Sequence, residues 1–342
     1  MTMKLLSTNR RSLLFVALNC AVAGSLPAQF IISNSQEAQG YGAVINQGHT
    51  ALSSASDFAL GSLSAAPGFH VGYHYDDADA DRDGADRAFD TNITHNSGNL
   101  AYVHQFEEFV ASLSVSYIDS DTEAKYSDSG NVGEVKLDGD GWVVSAAAAD
   151  TWEQLTLSVV GGFGQISNDG TRQSSTSGLG KSDSSFDTDL YYFTIDANYD
   201  VVVSERLTVA PFVRLNYLNV SSDSFTEKGG AGPGKVDSID RDWITSELGL
   251  RSFVTVSDAL SASLALSWEY DFDSSDTKIA GYDTLGNYGG LDVPDVGENR
   301  FKAIVGLDYS ISEDWALSGA LSYTSGDEYD AFGAGGALSY TF

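Results

Sequence analysis

The sequence predicts an all-β chain: a closed, twelve-stranded antiparallel transmembrane β-barrel with a short N-terminal helix in or below its lumen. Three observations predict it. Segments of about ten residues alternate apolar with small or polar side chains, the period of two that belongs to an extended strand. The connections between them alternate short and long. The charge sits in the long connections and avoids the apolar face, where an ionised group facing acyl chains costs about 2–4 kcal/mol near the midplane.

The chain begins as an exported protein would. Lys4, Arg10 and Arg11 form a basic start, Ser12 to Gly24 an apolar core too short to span a bilayer, and small residues follow. A signal peptide is expected over residues 1–28, with cleavage after Ala23 or Ala28. Cys20 follows Asn19, a poor fit to a lipoprotein signal. Cleavage removes Cys20, the single cysteine, together with Met1 and Met3, so the mature chain has no thiol for a disulfide, a metal finger or catalysis. It also removes three of 18 basic residues and no acidic one, leaving 15 against 48 and a net charge of −33. Such a surface repels nucleic acid and attracts cations. No later segment has 18 consecutive apolar residues, which excludes a helical membrane protein.

Residues 29–66 form an N-terminal linker of mixed character. His49 to Ala65 is rich in Ala, Ser and Leu; Leu52, Leu60 and Leu63 mark one face of a short plug helix, and a coil is the open alternative. The barrel is expected over 67–342, with strands near 68–76, 98–106, 109–118, 142–151, 155–165, 188–201, 206–219, 243–256, 259–271, 300–311, 315–325 and 332–342. The last strand shows the pattern most cleanly: Phe332, Ala334, Gly336, Leu338, Tyr340 and Phe342 share one face, small residues the other. Few residues join strands 2–3, 4–5, 6–7, 8–9 and 10–11, whereas acidic loops of about twenty join 1–2, 3–4, 5–6, 7–8 and 9–10, the parity of periplasmic turns and extracellular loops. Strands 11 and 12 are the short exception. Trp142, Trp152, Trp243, Trp268, Tyr270, Trp315 and Tyr323 lie near strand ends, as aromatic girdles do.

Three stretches resemble the C-terminal translocator domain of autotransporters: Leu207 to Tyr217 continuing to Asp223–Glu227, Asn299 to Tyr309, and Gly335 to Phe342. The resemblance covers about 67–342. It implies a twelve-stranded barrel closed around a helix, an outer-membrane location in a Gram-negative-type bacterium, and a function as membrane anchor or translocator-like scaffold. It also implies periplasmic chaperones and the barrel-assembly machinery as partners, beside outer-membrane lipids, with Leu338, Tyr340 and Phe342 as the assembly signal. Family members carry a long passenger, and residues 29–66 are far too short for one, so a barrel without a large passenger is expected. A monomer is expected.

By parity Arg214, Asn216, Glu247, Arg251, Glu269, Lys302 and Asp308 face the lumen, as a structural charge network or as the filter of a narrow, cation-preferring channel. Glu247 and Arg251 lie about 13 Å apart along one strand and are expected to pair with neighbours such as Arg214 rather than each other. Asp79, Asp81, Asp83 and Asp90, with Gly84 between, match the spacing of a calcium loop, although Asp86 occupies a usually apolar position and position 12 is Asp rather than Glu. A solvated acidic loop is the bland reading. His95 and Ser97, with Asn99 near, have the spacing of an outer-membrane lipid hydrolase but are expected in a loop before strand 2. His70 and His74 are expected on the lumen face of strand 1, with nothing in the sequence posing a carboxylate beside them. No enzymatic activity is expected.

Overall fold

The computed structural model describes residues 38–83, 87–128, 131–174, 180–230, 234–272, 277–282, 288–293, 297–326 and 329–342. The expected signal peptide lies outside them. A single turn of 3-10 helix, Ala38–Gly42, leads into helix α1, Ala43–Leu63. Twelve long strands follow: β1 Gly68–Asp83, β2 Arg87–Gln105, β3 Val110–Asp128, β4 Asn131–Trp152, β5 Leu155–Ser174, β6 Lys181–Tyr199, β7 Leu207–Ser222, β8 Ile239–Ser257, β9 Leu260–Asp271, β10 Asn299–Ser310, β11 Trp315–Gly326 and β12 Tyr329–Thr341. Each pairs antiparallel with the next, and β12 closes on β1 from Gly68 opposite Thr341 to Ala80 opposite Tyr329. A short strand, Val201–Ser204, extends the β7 edge at the periplasmic rim.

Closure follows from the solvent. Hydrocarbon offers no hydrogen bonds, so a spanning sheet must pair every edge. The wall alternates accordingly: on β10, Phe301, Val305, Leu307 and Tyr309 are exposed outward, and on β11 Trp315, Leu317, Leu321 and Tyr323. From Phe301 to Tyr309, a rise of about 3.3 Å per residue and a tilt of about 40° give a band of roughly 20 Å, most of the apolar height of outer-membrane barrels.

The structure corrects the length of the first strands. The expected acidic loops between β1 and β2, β3 and β4, and β5 and β6 are largely β-ribbon: β1 runs to Asp83 and β2 starts at Arg87. β3 and β4 stay paired to Asp128 opposite Asn131, and β5 and β6 to Gln173 opposite Lys181. Above the bilayer the outward face turns from apolar to Asp and Ser, so the hydrophobic alternation that marks a strand disappears while the ladder continues. Cross-strand pairs such as Lys136–Glu123, 3.2 Å apart, accompany it. At the same rim Phe225–Thr226, Lys235–Val236, Thr277–Tyr282 and Tyr288–Val293 form a small separate sheet.

Val305, half exposed at mid-height of β10, tests the orientation of the wall. Val305→Arg is expected to destabilise the barrel in bilayers by about 2–4 kcal/mol, measured by denaturant titration. Arginine at Ser318, on the inner face of β11, is expected to cost clearly less.

Candidate functional site

The lumen holds α1. The helix has 21 residues and, at 1.5 Å per residue, is about 31 Å long, enough to run the height of the barrel. It descends from the outer mouth to the periplasmic rim, where Leu63 leads through a short link into β1. No side chain caps its N-terminus and its single charge is Asp57, so its stability comes from its surroundings. Those surroundings are mixed: apolar wall residues such as Ile93, Ile118, Leu137 and Leu190 form one buried core with Val44, Ile45 and Leu52 of the helix. Hydroxyls and charges meet the rest, so the helix is contacted on several sides and shows no single greasy face.

Small residues let it fit. A Cβ on Gly48 would lie 2.7 Å from a methyl group of Val220, and one on Gly72 of β1 would lie 2.9 Å from the Phe58 ring. Hydroxyls tie helix to wall: Ser54 to Ser97 (3.3 Å), Ser56 to Thr194 (3.1 Å), and Ser62 donating to Ser112 (3.0 Å). The Gln47 side chain donates to the Ser120 carbonyl at 3.5 Å.

Charge is organised by register. Asp196, Arg214, Glu247, Glu269 and Arg300, one residue from each of β6 to β10, stand opposite one another in a transverse row. Arg214 donates to Asp196 (3.2 Å) and to Asp57 of α1 (2.8 Å), and lies 3.4 Å from Glu247. Four residues further along β8 than Glu247, Arg251 binds Asp196 through both terminal nitrogens (3.0 and 2.7 Å) and stacks over Phe212 at 3.9 Å. Glu247 and Glu269 face each other, a costly like-charge pair. Ser267 donates to the first; Arg300 and Lys302 both contact the second. Asn216 bridges Thr194 and Thr245. Asp308 lines a cavity of about 760 Å³ beside the helix.

At the outer mouth Tyr41 is fully buried, edge-on to Phe225 and Phe186. Its hydroxyl donates to Glu227 (2.9 Å) and accepts from Ser184 (3.2 Å). Arg172 donates to both oxygens of Glu227 (2.7 and 2.8 Å), and the Gly234 amide adds a further bond. This buried cluster joins the segment before α1 to β5, β6 and the connection after β7.

The sequence placed several residues otherwise. Trp243 belongs to no girdle: it is buried inside, with the His49 ring of α1 edge-on at 5.2 Å and Arg241 over its face at 5.4 Å. Trp142, Trp152, Trp268 and Trp315 are exposed outward. His95 and Ser97 sit in β2 rather than a loop and face the lumen, and Ser97 bonds Ser54 and Asn99. His74 does have a carboxylate beside it, Asp76 at 2.9 Å. Asp79 and Asp90 lie on the paired strands β1 and β2, with Asp81 opposite Asp90 and the Asn92 side chain donating to Asp79 at 2.9 Å. The side chains of 81–89, with Asp81 and Asp83 of the expected calcium loop, lie outside the described residues. Leu338, Tyr340 and Phe342 are exposed on the outer face of the last strand. Asp57, Asp196, Arg172, Glu227 and Tyr41 were missed, because their pairing depends on register and on the helix being in the lumen.

The autotransporter beta-domain family model matches residues 69–322. Among solved structures, the chain is similar to the translocator domain of autotransporter NalP from Neisseria meningitidis, with a TM-score of 0.65 and 15% identity over 87% of this chain and 97% of that one. It is also similar to the transport unit of autotransporter AIDA-I from Escherichia coli (TM-score 0.57, 14% identity, 80% and 90% covered). The beta domain of the Bordetella autotransporter BrkA gives a TM-score of 0.53 at 13% identity, with 81% and 100% covered. At such identities the likeness is one of fold. No curated protein matches the sequence significantly.

The Tyr41 cluster yields a ranked expectation. Glu227→Ala removes the buried carboxylate that both Arg172 and Tyr41 bind and is expected to cost about 3–5 kcal/mol. Tyr41→Phe removes one bond to a charged acceptor and is expected to cost about 1.5–3 kcal/mol. Denaturant titration of the folded barrel checks both, and equal costs would contradict the ranking.

Proposed function

The chain belongs to the autotransporter β-domain family, and we propose that its barrel is a plugged outer-membrane anchor that holds the segment before Tyr41 at the cell surface. The observation that carries this reading is α1, tied to the wall at its top by Tyr41, at its middle by Asp57 and at its base by Ser62. A helix fastened at three heights resists being drawn out from either side. Its polarity sets Ala43 at the outer mouth and Leu63 at the periplasmic rim.

The closed wall leaves no strand edge in the bilayer to recruit a second copy, which supports a monomer. Leu338, Tyr340 and Phe342, presented on the outer face of β12, are the surface offered to the barrel-assembly machinery. Ser97, shared between Ser54 and Asn99 inside the lumen, supports a structural role for that hydroxyl rather than catalysis. The cavity beside α1 favours a second reading, a narrow channel.

Planar-bilayer recording separates the two. The intact barrel is expected to pass little current, and a variant lacking residues 38–63 is expected to conduct at least about tenfold more. Equal currents from the two would overturn the plugged anchor. An intact barrel that passes a steady cation-selective current would favour the channel.

A further inference from the structure

The space beside α1 is asymmetric. The helix leans on the wall formed by β1 to β7 and leaves its opposite side facing β8 to β12. There the cavity of about 760 Å³ runs along a wall of small residues, including Gly306, Gly319, Gly333 and Gly335. At its periplasmic end it is lined by Ala65, Asn198, Phe253 and Asp308, beside the short turns; at its outer end it reaches His49, Thr50, Arg300 and Tyr329.

That outer end is a packed layer. His49 of α1 meets Trp243 of β8 at 5.2 Å and Tyr329 of β12 at 6.4 Å, both edge-on. The Arg300–Glu269 ion pair completes it from β9 and β10. All five side chains are buried, with Trp243 at 0% and Tyr329 at 6% exposure. One layer of side chains, drawn from the helix and from the opposite wall, therefore bounds the outer end of the space beside α1.

We propose that the cavity is a vestibule continuous with the periplasm, and that the His49–Trp243–Tyr329 layer is a gate whose removal opens a pore for small ions while α1 stays in place. The inference rests on the plugged-lumen reading. It adds that the seal is this layer and not the helix along its whole length. The chain carries 48 acidic against 18 basic residues, so the current through an open path would favour cations.

The experiment compares three barrels in planar bilayers, each first shown to be folded by heat-modifiable migration: the intact chain, His49→Ala with Tyr329→Ala, and the chain lacking residues 38–63. The double variant is expected to raise the current at least about tenfold over the intact chain, with cation selectivity. A silent double variant beside a conducting helix deletion overturns the gate and leaves the plug standing; no rise in either overturns both. A thiol probe provides a readout if the double variant does not fold. In a Cys20→Ser background, Ser322→Cys in the cavity wall is expected to react with a membrane-impermeant maleimide supplied from the periplasmic side and to be protected from the outer side. Labelling from both sides, or from the outer side alone, overturns the gate.

Discussion

The whole molecule answers to one constraint: a backbone in hydrocarbon must satisfy every N–H and C=O within itself. The pairing of β12 with β1 meets that demand, because it leaves no edge in the ring. The rest follows from having a closed sheet between two different solvents. Outward positions must be apolar, as Val305, Leu321 and Leu338 are. Inward positions are free to be polar, but twelve strands enclose more space than their own side chains fill. Something has to occupy the remainder.

Helix α1 occupies it, and its odd composition reflects the place it fills. A run of Ala, Ser and Gly with one charge is a poor amphipathic helix in water. Inside the barrel it is well matched, since its Val, Ile and Leu join an apolar core with the wall, hydroxyls meet hydroxyls and small residues allow close approach. Asp57 is the exception that joins the helix to the wall, meeting Arg214 in the row that runs from Asp196 to Arg300. Buried ion pairs are a weak source of net stability, because desolvation offsets most of the attraction. Removing one partner is a different matter, and so the row specifies how the helix sits more than how strongly the barrel holds.

Strand number, parity and the apolar face were legible in the sequence because lipid imposes a strict period of two on every strand it touches. Phe301 to Tyr309 and Phe332 to Phe342 could be read without knowledge of their neighbours. Above the bilayer the outward face of a ribbon meets water instead of lipid. In the run from Asp76 to Asp83 the buried inward positions among the described residues are only Ala78 and Ala80, too small to mark a period although the run is strand. The lumen was half legible. Parity pointed Arg214, Glu247 and Lys302 inward, but their partners are set by cross-strand register, which a single chain does not spell out. Trp243 shows the limit: near a strand end it resembles a girdle residue, and only its parity with Thr245 and Glu247 on β8 marks it as internal.

The most direct measurement uses the five tryptophans, of which four face outward and Trp243 faces in. In bilayers of brominated lipid, forms keeping only Trp268 or only Trp315 should lose most of their fluorescence, and a form keeping only Trp243 should keep its own. Quenching of Trp243 as strong as that of Trp268, or no quenching of any of them, would contradict a barrel with hydrocarbon outside and a packed helix within.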